Sequence, residues 1–145
     1  MNELLIRYRK TITDGIQASP AEQLLGIKPV AIDPGQVLFE MEATKSHSNP
    51  QGTLNGGITS TLADIAMGVA FGTTLQPGES FTTIELKINF LKPVWSGKIR
   101  AEAKVMKKGK TVGFIDCRVF DENQSLVAFA TSTCMILRGD KAKGR

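Results

Sequence analysis

The chain has 145 residues, of which 41% are hydrophobic and 22% are charged, and its formal net charge is +4. This length and composition fit one globular domain with a sizeable core, and they exclude a disordered or collagen-like chain. One tryptophan and one tyrosine give no stacking platform, so we expect no nucleic-acid partner. The single histidine excludes a multi-histidine metal site within one chain, and we expect no bound metal.

The sequence carries no signal for secretion or membrane insertion. Charges interrupt every apolar run of the first 17 residues, and no small-residue cleavage site follows them. The longest apolar stretch, around Ile58–Phe71, contains Asp64 and is shorter than the ~20 residues that a spanning helix needs. Cys117 and Cys134 lie far apart in apolar runs, which is typical of buried free thiols in a reducing compartment. We therefore expect a soluble cytoplasmic protein without membrane contact.

The first 25 residues are predicted to be a helical segment. Apolar residues recur between positions 4 and 16 at the spacing of one helix face, and Ala21–Leu25 adds a short turn. Apolar residues then recur at every second position, which is typical of strands. A turn signal at 33–35 separates the two strands of a hairpin that has one solvent-exposed face. The polar stretch 44–54 is rich in turn formers and is predicted to be a loop.

The second part of the chain predicts one long helix followed by strands. Asn55–Thr74 is apolar almost all round, as in a helix buried in a core. Four strands follow, and the last of them, Leu126–Leu137, is apolar on both faces. This order predicts an α+β fold in which an antiparallel β-sheet wraps around one long hydrophobic helix. One helix cannot cover both sheet faces, so we expect another subunit to cover an exposed face. We expect one domain over residues 1–145, with 139–145 as a basic solvated tail.

The most informative segment runs from His47 to Asp64 and reads HSNPQGTLNGGITSTLAD. It resembles the signature of the PaaI-like branch of the hotdog-fold acyl-CoA thioesterases, roughly HxNxxGxxHGGxxxxLxD. The matching positions are His47, Asn49, Gly52, Gly56, Gly57, Leu62 and Asp64. The chain departs at Asn55, where the signature usually has a histidine. The resemblance implies a hotdog fold, an acyl-CoA substrate whose CoA is the only cofactor-like group, and a homotetramer built as a dimer of dimers.

The residues of this motif suit thioester hydrolysis on physical grounds. Gly56 and Gly57 open the long helix, where free N–H groups and the helix dipole favour a developing oxyanion. Asp64 has apolar neighbours, so desolvation should raise its pKa and leave either a better general base or a reactive nucleophile. The resemblance assigns carbonyl polarisation to the Gly56 N–H and the Asn49 amide, and water orientation to Thr83. It also places Asp64 and Thr83 on one subunit, opposite Asn49 and Gly56 of the other.

Asn55 and His47 each allow two interpretations. If the family's histidine mainly positions the helix start, Asn55 can replace it as a favoured N-cap residue and can also donate to the carbonyl. If a titratable imidazole is needed, activity should suffer; we favour the first interpretation because Asp64 supplies acid–base capacity. For His47 no signature of a nucleophile partner is present, so we predict a loop residue that supports the site or faces solvent.

A lysine turn formed by residues 107–111 is the candidate site for CoA. It combines positive charge with a tight turn, and its residues are Lys107, Lys108, Gly109, Lys110 and Thr111. The resemblance places such a segment near the nucleotide of CoA. The ordinary alternative is a solvated hairpin turn.

The resemblance favours aryl-CoA esters of the hydroxybenzoyl or phenylacetyl type, or medium-chain acyl-CoA, as substrates. The alternative function is a non-catalytic acyl-CoA-binding hotdog domain, in which Asn55 would mark lost chemistry. A hotdog hydratase or dehydratase is disfavoured, because those enzymes place a catalytic histidine differently. A ligand sensor is disfavoured because too few residues precede the first strand for a helix-turn-helix.

Overall fold

The computed structural model describes residues 2–16 and 19–145. Its helices and strands are, in chain order, α1 (Glu3–Asp14), α2 (Pro20–Leu25), β1 (Lys28–Asp33), β2 (Gln36–Ala43), α3 (Gly56–Gly72), β3 (Ser80–Phe90), β4 (Gly97–Lys108), β5 (Val112–Phe120) and β6 (Leu126–Leu137). Short 3-10 turns follow β2 and β6, at Lys45–His47 and Gly139–Ala142. The predicted N-terminal helical segment is therefore two helices, and its residues 1, 17 and 18 lie outside the described residues.

The six strands form one antiparallel sheet in the order β1-β2-β4-β5-β6-β3. Helix α3 packs against β2, β3, β4, β5 and β6, so the sheet wraps around it. The predicted hotdog fold, an antiparallel sheet around one long hydrophobic helix with an N-terminal helix, is confirmed. None of the described helices is long and apolar enough to cross a membrane.

The core lies between α3 and the concave face of the sheet. The α3 residues Leu62, Met67 and Phe71 are fully buried, as their apolar surroundings in the sequence predict. Helix α1 closes one end of this core. There the Tyr8 ring packs edge-on against Phe39, with ring centroids 5.7 Å apart. The burial of the α3 side chains against the sheet fixes α3, and with it the residues of the motif.

Strand β3 is an edge strand that contains a β-bulge. Thr83 pairs with Cys134, whereas Glu85 pairs with Thr133, so Ile84 is an extra residue without a direct partner. Strict alternation would put Thr83 on the same face as Glu85. Because of the bulge, Thr83 instead shares the concave face with the buried side chain of Cys134.

Large apolar side chains remain exposed along β3 and in the segment that follows it. Ile84 and Phe90 are each 55% exposed, and Leu91 and Trp95 are more exposed still. An edge strand offers unpaired backbone groups, and contiguous exposed apolar side chains mark contact surfaces. This region is therefore the candidate surface for the expected subunit contact, whose existence stays a prediction.

Candidate active site

The loop before α3 holds the side-chain amide of Asn49 in a fixed orientation. Asn49 Nδ2 donates to Thr53 Oγ1 at 2.7 Å, and Asn49 Oδ1 accepts the Thr53 N–H at 3.1 Å. The Asn49 N–H also donates to the Thr53 carbonyl at 2.8 Å. Gly52 has a φ of +89°, a left-handed conformation that glycine adopts freely and that closes the turn after Pro50. Since an amide nitrogen carries two hydrogens, one Asn49 donor remains beyond its bond to Thr53.

Asn55 is the N-cap residue of α3, as predicted. Its Oδ1 accepts the Gly57 N–H at 2.8 Å, and its carbonyl accepts the N–H groups of Ile58 and Thr59, both at 3.1 Å. The Gly56 N–H has no hydrogen-bond partner among residues 2–16 and 19–145. The start of α3 therefore presents one open backbone donor at the positive end of the helix dipole.

His47 supports this loop, which is one of the two roles predicted for it. Its Nδ1 accepts the Thr44 N–H at 3.1 Å, and its carbonyl accepts the Asn55 N–H at 2.9 Å. His47 thus links the 3-10 turn to the start of α3.

Asp64 lies further along α3, on a side of the helix that is exposed in the single chain. It lies eight positions after Gly56, which corresponds to about 12 Å along the helix axis. Neighbouring protein still removes part of the water around the carboxyl group, and this desolvation raises its pKa above the usual value. The predicted direction of the pKa shift is confirmed.

Thr83 lies in the same region as Asp64, next to a thiol. Thr83 Oγ1 is 3.7 Å from Cys134 Sγ, within hydrogen-bonding range for sulfur. Burial raises the pKa of Cys134; its hydrogen bond with Thr83 opposes this rise, and the negative charge of Asp64 adds to it. Asp64 and Thr83 thus both influence the Cys134 thiol. The sequence indicated only a buried free cysteine at position 134, because nothing local reveals its pairing across the sheet.

A cleft of about 430 Å³ opens beside the start of α3. Its polar side is lined by Asn49, Thr53 and Gly56, and its apolar side includes Leu54 and Phe90. The Phe90 ring lies directly against Gly56, since a β-carbon at Gly56 would be only 2.9 Å from Phe90 Cζ. Neither Thr53 nor Phe90 was predicted as a site residue. In the sequence, Phe90 is one of several apolar residues that alternate along a strand, and nothing local distinguishes it.

The lysine turn lies near the opposite end of α3. Lys108 Nζ donates to the carbonyl of Thr74, just past the end of the helix, and lies 4.0 Å from Glu79 Oε2. Lys107 and Lys110 are exposed. Helix α3 has 17 residues, so the turn is about 25 Å from the start of α3 in the same chain. A CoA-binding role for residues 107–111, Gly109 and Thr111 included, stays a prediction.

Metal ligands are not grouped in the part of the chain that the structure describes. There, no cluster of three or more histidine, cysteine or carboxylate side chains could hold a metal ion. The polar groups of the candidate site are the Asn49 amide, the Gly56 N–H, the Asp64 carboxylate and the Thr83 hydroxyl.

Both the sequence and the fold are similar to those of known proteins. A profile of the thioesterase superfamily matches residues 51–128, which include Gly56, Asp64 and Thr83. Human acyl-coenzyme A thioesterase 13 is 34% identical over 116 residues, covering 79% of this chain and 82% of that protein. The crystal structure of a thioesterase family protein from Silicibacter pomeroyi aligns with a TM-score of 0.80 at 28% identity, covering 91% and 99% of the two chains. The E. coli PaaI protein, from the phenylacetic acid degradation operon, aligns with a TM-score of 0.81 over 94% and 98% at 24% identity, which shows a common fold.

Proposed function

Because this chain belongs to the thioesterase superfamily, we propose that it hydrolyses an acyl-CoA thioester to the free acid and CoA. The observation that carries the proposal is the open N–H of Gly56 beside the fixed amide of Asn49. Two donors at a helix start can hold a thioester carbonyl and stabilise the oxyanion that forms from it. The capping role of Asn55 keeps the Gly56 donor open, so the departure from the family signature leaves this part of the site intact. The non-catalytic alternative loses its main support.

We propose that the carboxylate of the site comes from a second subunit. A carbonyl carbon within reach of the Gly56 N–H must also lie about 3 Å from the attacking oxygen. In one chain Asp64 is about 12 Å further along the helix, and its side chain shortens that distance only slightly. A two-fold axis that brings the partner subunit's Asp64 to Gly56 makes two equivalent sites, with the two α3 helices antiparallel. The exposed apolar surface along β3 fits such an interface.

In this site we propose Asp64 as the general base, with the Thr83 hydroxyl, next to the Cys134 thiol on which the Asp64 charge acts, holding the attacking water molecule in place. The carboxylate removes a proton from that water as the water oxygen bonds to the carbonyl carbon. The oxyanion then collapses, the C–S bond breaks, and the CoA thiolate takes the proton back from the carboxylic acid. Direct attack by Asp64 remains the competing route, and it would pass through a mixed anhydride on the enzyme.

The substrates that the cleft supports are apolar acyl groups of moderate size. An apolar side lined by Leu54 and Phe90 suits an aryl group of the hydroxybenzoyl or phenylacetyl type, or a medium-length chain. We also propose a cytoplasmic homotetramer formed by two dimers. Val112 and Phe114, exposed on the outer face of β5, offer a second apolar contact surface, and the buried free thiols of Cys117 and Cys134 suit a reducing compartment.

Replacing Asp64 by asparagine tests the proposal, because this change removes the base and keeps the shape. We expect kcat for thiol release from a panel of aryl- and alkyl-CoA esters to fall by ~10²–10⁴-fold. Since burial raises the pKa of Asp64, wild-type kcat/KM should decline on acidification through a pKa above the usual 3.8. That acid limb should be absent from the residual activity of the variant.

Asp14→Asn is the matched control, since Asp14 is an exposed carboxylate at the end of α1. It should leave the rates and the pH profile unchanged. The proposal fails if wild type and Asp64→Asn release thiol at the same background rate from every ester.

A further inference from the structure

Phe90 occupies a position that the proposed chemistry does not use. It is the last residue of β3, and its ring covers the side of Gly56 that faces away from the body of α3. A β-carbon at position 56 would also lie 3.2 and 3.3 Å from two further ring carbons, so the ring would have to move to admit one. More than half of the Phe90 surface is nevertheless exposed. The ring therefore has one face on the carbonyl-binding end of the helix and the other open to the cleft.

The cleft beside this ring suits an apolar group rather than the polar arm of CoA. Of the described residues that line it, Lys92 alone is charged, and its ammonium group is paired with Asp121 at 2.8 Å. Leu91 and Val94 extend the apolar wall from Phe90. The pantetheine arm carries two amides that would lose hydrogen bonds with water against such a wall, whereas an alkyl or aryl group would gain from burial.

We propose that Phe90 selects the acyl group: its ring forms the wall that limits the bulk allowed next to the thioester carbonyl. This inference rests on the proposed function, because the carbonyl is placed by the Gly56 N–H. A ring in contact with Gly56 lies beside the first carbon of the acyl group once the carbonyl oxygen binds that N–H. Straight-chain and flat aryl groups then pass the ring, and groups branched at the first carbon collide with it. Phe90 is thus a specificity-determining residue.

Two substitutions that change the wall in opposite directions test this inference. Phe90→Ala enlarges the cleft and Phe90→Trp fills it, and both are assayed with butyryl-, isobutyryl- and pivaloyl-CoA, which differ in branching at the first carbon. We expect Phe90→Ala to raise kcat/KM for the branched esters relative to butyryl-CoA by about tenfold or more, and Phe90→Trp to lower the same ratio. Phe90→Leu should shift the ratio in the direction of alanine, and it serves if the alanine variant does not fold.

Ile84→Ala is the control for a general effect at the edge strand. Ile84 has the same 55% exposure on the same strand and does not line the cleft, so its loss should leave the ratio unchanged even if all rates fall together. The melting temperature shows whether each variant is folded, and the molar mass in solution shows whether it keeps its assembly. The inference is overturned if the variants at Phe90 change every ester by one common factor.

A binding measurement separates this inference from the proposed function. Keto analogues of the three esters, with CH₂ in place of sulfur, are titrated by calorimetry into Asp64→Asn and into the double variant that also carries Phe90→Ala. We expect the loss of the ring to improve Kd selectively for the branched analogues. If the wild type hydrolyses no ester, the proposed function fails while this titration still decides the role of Phe90. Equal Kd changes for all three analogues would overturn the role of Phe90 and leave hydrolysis untouched.

Discussion

The two halves of the candidate site are built in different ways. The helix-start half, Asn49, Asn55 and Gly56, is organised by bonds between residues close in sequence, such as Asn49 with Thr53. The carboxylate half, Asp64, Thr83 and Cys134, depends on sheet pairing, since Thr83 and Cys134 are 51 positions apart. A local turn and a helix cap specify the first half. The second half exists only when β3 and β6 have found their register.

The two halves also differ in what a single chain can complete. The donors of the helix-start half are already in place, because Thr53 and Asn55 fix them within one loop. Asp64 is exposed in the single chain, although neighbouring protein already raises its pKa. Contact with a second subunit would remove more water from this carboxylate and raise the pKa further. If the proposed function holds, carbonyl binding needs only groups that one chain already holds in place, whereas activation of water needs the proposed second subunit.

The largest expected effect is the recovery of activity when two inactive variants are coexpressed, one with a defect in the helix-start half and one with a defect in the carboxylate half. Asn49→Ala and Asp64→Asn should each be severely impaired alone, by ~10²-fold or more for Asp64→Asn. In hybrids formed by coexpression, an intact helix-start half can meet an intact carboxylate half of the other subunit. Random pairing restores about a quarter of the wild-type sites, because each half is intact in half of the subunits. The measurement is the rate of thiol release per subunit.

The matched control combines two defects within the carboxylate half. Thr83→Val coexpressed with Asp64→Asn should show no rescue, because both residues come from the same subunit in every site. If the first mixture stays as inactive as its components, the two halves do not meet across an interface. The proposal that each active site combines residues of two subunits would then be wrong.

The sequence predicted the helix-start half more completely than the carboxylate half, for a physical reason. The cap at Asn55, the turn after Asn49 and the helix that follows are encoded by adjacent residues, so local rules suffice. The alternation of apolar residues likewise predicted the strands, and an apolar composition all round predicted the buried helix. The overall fold was therefore accessible from pattern and resemblance together.

The position of Thr83 shows what local rules cannot provide. Alternation puts it on the solvent side with Glu85, and only the bulge at Ile84 turns it towards Cys134. A bulge is set by the pairing of whole strands, which no short window of sequence reveals. The contact between Phe90 and Gly56 is likewise long-range, joining the end of β3 to the start of α3. Both features had to come from the folded structure.

Substitutions at Asn55 should separate stability from activity within the helix-start half. Asn55→Ala loses the bond to the Gly57 N–H and should cost about 1 kcal/mol of unfolding free energy. Asn55→Asp keeps the cap and suits the helix dipole, so its melting temperature should equal or exceed that of the wild type. Its negative charge beside the Gly56 N–H opposes the developing oxyanion, and kcat should fall by roughly tenfold or more.

Asn55→Ser distinguishes the two roles considered for this residue. Serine caps well and has no amide, so near-normal kcat would mean that Asn55 acts as a cap alone. A large loss of kcat at normal stability would mean that its amide also donates to the carbonyl. Denaturant unfolding and thiol release, measured on the same preparations, give both readings.

The smallest expected effect concerns the lysine turn and tests the antiparallel arrangement of the helices. If the two α3 helices are antiparallel, as proposed, the lysine turn of the second subunit would lie beyond the helix-start half, where we expect the CoA nucleotide. Lys107→Ala combined with Lys110→Ala should then raise KM for acyl-CoA several-fold, with kcat unchanged and the difference reduced by salt. Lys108→Ala should instead lower stability slightly, because its ammonium group already binds the Thr74 carbonyl. An acyl-pantetheine substrate lacks the nucleotide, so its KM should be the same for wild type and the double variant; a rise there as well would mean that the lysines do not bind the nucleotide.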